Sequence, residues 1–495
     1  MSLISVFDLT FAYDGSYDNV FENVSFQIDT DWRLGFIGRN GRGKTTFLKL
    51  LSGELTSGGS ISASVDFSYF PYDVKDKSVD TIDVVAKIYP EYELWQLLRE
   101  LSLLEVDKDV LNRRFDTLSE GEKTKVLLAV MFMRENNFLL IDEPTNHLDM
   151  KGREVVSRYL SGKKGFILVS HDRAFLDGCI DHVLSINRMN IEVQKGNFSS
   201  WLENKRRLDA FEMAENEKLQ REIGRLKDTI AQKTAWSDRA ERKKVGIDPN
   251  EVDSKKGHRA LWGAKSKKLM SRAKAIEQRR EKAIQEKSKL LLNIDHNEEL
   301  KIAQLEYHRK RLISLSNVRI VYDDEPVNEA VTFTIEQGDR IAIFGKNGSG
   351  KSSIIKLICS EGIPYDGEII RGSSIKISYV PQDTSMLSGS LAEFAAKSGV
   401  DETLFKTILR KLDFERIQLD KDMRHFSAGQ RKKVLIARSL SEKAHLHVWD
   451  EPMNYIDVIS RMQIEALLLK FRPTILFVEH DKAFCDMIAT KFIRL

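Results

Sequence analysis

The sequence predicts an α/β protein in which one phosphate-loop domain is built twice, the two copies being joined by an antiparallel helical hairpin. Three observations predict it. Four unlike motifs recur at one spacing, each glycine-rich motif lies between an apolar strand pattern and an amphipathic helix pattern, and the stretch between the copies is dense in charge.

At 495 residues the chain exceeds a single core and has room for two to four domains. With 42% hydrophobic and 31% charged residues it is globular in composition, and a net charge of +3 has to be read locally. Cys179, Cys359 and Cys485 are odd in number and far apart, without a CxxC pair. That argues against a disulfide framework or a zinc site and fits a reducing cytosol. The start MSLISVFDLTFAYDG has no export pattern, and no apolar stretch approaches the roughly 18 residues of a membrane span. The expectation is a cytoplasmic protein with no membrane partner.

GRNGRGKTT at 38–46 recurs as GKNGSGKSS at 345–353, LSEGE at 118–122 as FSAGQ at 426–430, EPTNHLD at 143–149 as EPMNYID at 451–457, and ILVSHD at 167–172 as LFVEHD at 476–481. The offsets run from 307 to 309. Chance does not hold one offset through four unlike motifs. The expected domains are residues 1–198 and 306–495, separated by a segment of residues 199–305.

Each glycine-rich motif follows an apolar run, RLGFI or RIAIF, and precedes TTFLKLL or SSIIKLI, the strand–loop–helix context that GxxxxGK[ST] requires. In such a loop the backbone N–H groups curl around phosphate oxygens at the positive end of the helix. The candidates are Gly38, Asn40, Gly41, Gly43, Lys44, Thr45 and Thr46, then Gly345, Asn347, Gly348, Gly350, Lys351, Ser352 and Ser353. Lys44 and Lys351 are assigned to the β- and γ-phosphates, Thr45 and Ser352 to magnesium. An accidental glycine-rich turn would account for one copy but not for two.

Two apolar strands end in Asp-Glu, FLLID at Asp142 with Glu143 and LHVWD at Asp450 with Glu451. Asp142 and Asp450 are expected to hold magnesium, and Glu143 and Glu451 to orient or deprotonate the attacking water. A pair of acidic strand caps is the plainer alternative, disfavoured by the matching distance from a phosphate loop. His171 and His480 also end apolar strands, at the sheet edge where open α/β folds bind ligands, and are expected to sense the γ-phosphate. A lone histidine there would more often be structural; two at one repeat position favour function.

Phosphate loop, LSGGQ-like signature, Asp-Glu and strand-end His, in that order and twice, resemble the ATP-binding cassette family over about three quarters of the chain. The resemblance implies two cassettes docked head to tail within one chain. Lys44 would then work opposite Ser427 and Gly429, and Lys351 opposite Ser119 and Gly121, with ATP and magnesium held between the halves. Tyr13 and Tyr322 match the aromatic that stacks on adenine, although an isolated tyrosine is otherwise most often core. The second copy has YVPQD, whose Gln382 could reach magnesium and the attacking water; the first has YFPYD, with Tyr72 in its place. Tyrosine is too large to copy that contact, so the two sites are expected to hydrolyse at different rates.

Between the copies, Leu219, Ile223, Leu226 and Ile230 are spaced 4, 3, 4, and Leu269, Ala273, Ile276, Ala283 and Leu290 follow the same heptad. This predicts an antiparallel coiled coil with a tip near 236–268. A helix of about 33 residues would reach about 50 Å. From Lys233 to Lys289 there are 18 Lys and Arg against 8 Asp and Glu, net +10, leaving −7 for the rest of the chain. Charge runs are usually solvated helix faces, but concentration at the tip favours nucleic acid. Lys243, Lys244, Lys265, Lys267 and Lys268 suit phosphate, with Trp262 for stacking.

Tandem cassettes, EPTNHLD, GNFSSWLENK at 196–205 and a charged hairpin together resemble the ABC-F proteins. The resemblance implies a ribosome-bound ATPase that occupies the exit site in its ATP-closed state. Its hairpin would reach P-site transfer RNA and 23S ribosomal RNA near the peptidyl-transferase centre. With no arm insertion in the first cassette, no basic tail after His480, and the YFPYD and EPMNYID variants, the chain is most similar to the Lsa-type resistance proteins, which counter lincosamides, streptogramin A and pleuromutilins. A housekeeping ABC-F translation factor is the near alternative. An importer's tandem ATPase would lack the basic hairpin, and a DNA-maintenance ATPase would place its coiled coil inside one cassette.

Overall fold

The computed structural model describes residues 2–13, 19–146, 148–186, 191–211, 213–215, 217, 218, 221, 304–322, 325–346, 348–360, 362–412, 414 and 416–495. The named heptad positions, the hairpin tip with Lys243, Lys244, Trp262, Lys265, Lys267 and Lys268, and Asn347 of the second glycine-rich loop lie outside these residues. The chain divides into two compact units, Met1–Trp201 with Glu299–Leu495, and Leu202–Glu298. Both glycine-rich loops belong to the first.

In the first copy, β1 (Leu3–Phe11), β2 (Phe21–Asp29) and β4 (Gly58–Ser62) form an antiparallel sheet in the order β2-β1-β4. The second sheet runs β5-β6-β7-β3-β8-β9, from β5 (Asp66–Phe70), β6 (Asn137–Asp142), β7 (Phe166–Val169), β3 (Arg33–Ile37), β8 (His182–Ile186) and β9 (Ile191–Lys195). Only the β8–β9 pair in it is antiparallel. Strands covered on both faces must be apolar throughout, and all four residues of FILV in β7 are buried. Helix α1 (Lys44–Leu51) follows the first loop and sends Phe47 and Leu48 into the core between the two sheets.

Helices α2 (Thr81–Ile88), α3 (Leu94–Leu103), α4 (Glu120–Met133), α5 (Met150–Ser161) and α6 (Arg173–Cys179) follow. Their starts are written in the sequence. Ser119 caps α4 in a reciprocal box with Glu122, Asp149 caps α5 and Asp172 caps α6.

The second copy repeats the plan. β10 (Arg311–Tyr322) pairs with β11 (Glu325–Pro326), β12 (Val331–Glu336) and β14 (Tyr365–Arg371). β15 (Ile377–Val380), β16 (Leu446–Asp450), β17 (Ile475–Val478), β13 (Arg340–Phe344) and β18 (Lys491–Arg494) lie side by side in that order, all parallel. The helices are α7 (Lys351–Ile358), α8 (Leu391–Lys397), α9 (Glu402–Lys411), α10 (Arg416–Leu419), α11 (Ala428–Ser441), α12 (Val458–Phe471) and α13 (Lys482–Ile488). Ser427 caps α11 with Gln430 as Ser119 caps α4 with Glu122, so both signature motifs place a helix N-terminus at their second residue. Among the described residues no helix is long and apolar enough to cross a membrane.

Candidate functional site

Each glycine-rich loop leaves a central strand and turns into a helix through glycines at positive φ, Gly41 and Gly43 at 81° and 89°, Gly348 and Gly350 at 82° and 84°. Beside Gly41 and Gly348 a Cβ would meet nothing within 4 Å. Glycine is needed there for the backbone conformation rather than for space. The lysine that follows folds back over the loop. Lys44 Nζ donates to the carbonyls of Gly38 at 2.6 Å and Arg39 at 3.2 Å and to Asn40 Oδ1 at 3.3 Å, and Lys351 Nζ donates to Gly345 at 2.9 Å and Lys346 at 2.8 Å. Burial pulls the Lys44 ammonium below its usual range, while Asp457, Glu143 and Asp142 favour its charge.

The next residues meet the strand-end aspartates. Thr45 Oγ1 donates to Asp142 Oδ2 at 2.9 Å, and Ser352 Oγ to Asp450 Oδ1 at 3.3 Å. A hydroxyl and a carboxylate facing each other form an all-oxygen donor set that fits magnesium once nucleotide phosphates complete it. Among the described residues no cluster of three His, Cys, Asp or Glu could hold a metal by itself.

Glu143 and Glu451 both sit at positive φ, 51° and 45°. Left-handed backbone at a non-glycine residue, repeated in both copies, marks a strained position held by its surroundings. Each strand-end histidine faces its glutamate, His171 Nε2 lying 3.2 Å from Glu143 Oε1 and His480 Nε2 3.5 Å from Glu451 Oε1. Burial, then Lys44 and Arg461, hold the His171 imidazole well below its usual pKa.

The two glutamates differ in company. Gln382 Nε2 donates to Glu451 Oε2 at 2.7 Å and Asn454 Nδ2 to the same oxygen at 2.6 Å. Burial would raise the Glu451 carboxyl, but His480 and Gln382 outweigh it and hold it below the usual range. Glu143 Oε1 is buried with no hydrogen bond, and burial followed by the Asp142 charge raises that carboxyl. Tyr72, at the position of Gln382, is exposed.

Across the pseudo-symmetric interface the Lys44 loop meets the second signature. A cleft of about 510 Å³ is lined by Tyr13, Asn40, Gly41, Gly43, Lys44, Thr45, Thr46, Asp142, Glu143 and His171 from one copy and by Ser427, Gly429 and Tyr455 from the other. Asn40 Nδ2 donates to the Tyr455 carbonyl at 2.7 Å. A Cβ at Gly429 would lie 2.3 Å from that carbonyl oxygen, so only glycine permits this approach. On the other side, Asp149 of the first copy is among the carboxylates that favour the charge of Lys351. Ser119 and Gly121 stand at the start of α4, where the serine hydroxyl is engaged with Glu122, and no hydrogen bond joins them to the Lys351 loop among the described residues. Tyr13 and Tyr322 are half-exposed beside the loops, their hydroxyls 2.7 Å from Thr46 Oγ1 and 3.0 Å from Ser353 Oγ.

Four further residues join the sites, Tyr69 from the start of YFPYD and three that no motif announces. Tyr69 donates to Asp142 Oδ2 at 2.9 Å. Lys432, buried in α11, donates to the carbonyls of Pro381 at 2.8 Å, Gln382 at 3.4 Å and Asp450 at 3.0 Å, where the first copy has Thr124. Arg461 donates to Asp481 at 3.0 Å, as Arg153 does to Asp172 at 2.9 Å. The Arg–Asp pairs share the repeat offset, which could have revealed them.

Two paired loops, two strand-end Asp-Glu pairs and a signature facing across define a tandem ATP-binding cassette ATPase. The sequence profile of the ABC transporter family matches residues 21–146 and 328–454, just over half of the chain, and the chain belongs to that family. It is 28% identical to the ribosome protection protein VmlR of Bacillus subtilis (strain 168), over 96% of this chain and 84% of that protein. It is 25% identical to ABC transporter F family member 2 of Arabidopsis thaliana, over 98% of this chain and 75% of that protein. The resemblance to the F group carried by the motifs thus has a counterpart along nearly the whole chain. Among solved structures, an archaeal ribosome recycling factor in complex with the ribosomal stalk protein has a TM-score of 0.64 at 21% identity, covering 98% of this chain and 87% of that one. A structure of RNase-L inhibitor has a TM-score of 0.63 at 20% identity with the same coverage. At these identities the likeness is one of fold.

Proposed function

We propose that the chain is an ABC-F ATPase that binds the ribosome with its cassettes closed on ATP, reaches P-site transfer RNA with the segment between the cassettes, and protects the peptidyl-transferase centre from lincosamides, streptogramin A and pleuromutilins. The observation that carries the reading is the composite Lys44 site, built from both copies and set in a chain that resembles a ribosome protection protein from end to end. It would act in the cytosol, as a monomer whose two cassettes pair with each other.

In this reading Lys44 and Lys351 turn from their loop carbonyls to the β- and γ-phosphates, which loop N–H groups also bind. Ser427 and Gly429 meet the γ-phosphate at the Lys44 site, and Ser119 and Gly121 do so at the Lys351 site. Tyr13 and Tyr322 stack on adenine. Magnesium would be held by Thr45 and Asp142 at one site and by Ser352, Asp450 and Gln382 at the other, and would neutralise phosphate charge. Glu143 and Glu451 orient water and accept its proton, and His171 and His480 hold the γ-phosphate against them. Because closure needs both copies at each site, ATP joins the halves, and hydrolysis releases them.

Sedimenting the Glu143→Gln/Glu451→Gln protein with purified ribosomes tests this. Pelleting with ATP but not without it is expected. A protein left in the supernatant under both conditions contradicts the reading, whereas pelleting without protection from drugs favours a translation factor.

A further inference from the structure

Helix α3 of the first cassette carries an apolar outer face that its counterpart lacks. It turns Leu97, Glu100 and Leu101 inward, and Glu100 fixes that rotation by accepting from the Tyr159 hydroxyl and from Lys163 Nζ, each at 2.6 Å. At about 100° per residue, Leu94, Leu98 and Trp95 then form one stripe on the outer flank. They are 51%, 36% and 60% exposed. Helix α9 is the same helix 308 residues later, with Phe405, Ile408 and Leu409 inward. At the three outer positions it has Glu402, Lys406 and Thr403, and Glu402 pairs with Lys406 at 2.6 Å. The second copy therefore shows this helix dressed for water. The first presents three large apolar side chains at the same positions, a concentration that marks an interaction surface.

The surroundings select the partner. Exposed Glu91 and Glu93 precede the stripe and exposed Glu105, Asp107 and Asp109 lie beyond the end of the helix, while Arg99 and Lys108 are the basic residues between 91 and 109 and Lys151 and Arg158 are taken up by Glu105 at 3.4 and 3.6 Å. Carboxylates around an apolar centre repel a phosphate backbone and complement lysine and arginine. We propose that the outer face of α3 docks on a basic protein surface of the ribosome, with Trp95 as its anchor. This rests on the ribosome-bound reading above.

The test uses the full-length Glu143→Gln/Glu451→Gln protein with Trp95→benzoylphenylalanine, irradiated on purified ribosomes with ATP. Crosslinks to basic ribosomal proteins are expected. Crosslinks to ribosomal RNA or to a second copy of the chain would overturn the proposal, as would none from protein that pellets with ribosomes. If the protein carrying unaltered Trp95 does not pellet at all, the ribosome-bound reading fails and this proposal with it. A second variant, Leu94→Glu/Trp95→Thr/Leu98→Lys, grafts the side chains of the second copy and so keeps the helix soluble. Its ATP hydrolysis without ribosomes should be unchanged and its ribosome affinity lower by about tenfold or more. Unchanged affinity would overturn the proposal.

Discussion

Arg173, which follows the His171–Asp172 pair of the first cassette, forms a two-pronged buried ion pair with Glu465 in α12 of the second, Nη1 donating to Oε2 at 3.0 Å and Nη2 to Oε1. Its repeat counterpart, Lys482, approaches Glu154 of the first cassette at 3.9 Å, with both partners exposed. One tight buried link and one loose surface link thus join the halves next to the two strand-end histidines. Breaking a buried pair strands a charge, at a cost of about 3 kcal/mol, whereas an exposed pair contributes under about 1 kcal/mol. Arg173→Ala should therefore weaken ATP-induced closure strongly and Lys482→Ala hardly at all. Fluorescence energy transfer between labels on the two cassettes would measure this, and equal effects would show that the halves do not depend on the buried link.

The glutamates set a second expectation. Glu143→Gln with Glu451→Gln keeps the side-chain volume but removes the two carboxylates proposed to accept the proton of water, so ATP should still bind while steady-state hydrolysis falls about a hundredfold or more. Parental turnover in the double variant would remove both residues from the chemistry.

Unequal sites are the third. Gln382 bonds Glu451, whereas exposed Tyr72 is not among the residues lining the Lys44 cleft. Gln382→Ala should slow single-turnover hydrolysis at the Lys351 site several-fold, and Tyr72→Ala should barely change the Lys44 site. Equal slowing would contradict the asymmetry.

Close approach of backbone gives the fourth. Gly429→Ala would put a methyl 2.3 Å from the carbonyl oxygen of Tyr455, in the same cassette, and 3.1 Å from Asn40 Nδ2 of the other. Relieving the first contact displaces the carbonyl that accepts from Asn40, so the Lys351 loop should still bind ATP while the Lys44 site should not close, reducing cooperative hydrolysis about tenfold or more. Wild-type cooperativity would mean that this contact is not the closed one.

Much of the fold and of the two sites is legible in the sequence because the chain states it twice. Phosphate loops, strand-end carboxylates and histidines are local motifs with fixed chemistry, and a shared offset turns each into a pair. Asn40 with Tyr455 and Arg173 with Glu465 are not legible there. Those partners are 415 and 292 residues apart and meet only through the docking of the halves. Lys432 is hidden for a related reason, since the first copy has Thr124 there and the repeat loses the signal.

The most direct test of the central claim is the drug susceptibility of a sensitive host carrying the intact gene, a form with residues 240–268 replaced by a short Gly-Ser turn, or no gene. ATP binding by the purified shortened protein should survive, because both sets of cassette motifs lie outside the replaced segment. Reduced susceptibility to lincosamides or pleuromutilins is expected with the intact gene alone. Equal susceptibility in all three hosts would contradict protection, and full protection by the shortened form would contradict the working role of the segment between the cassettes.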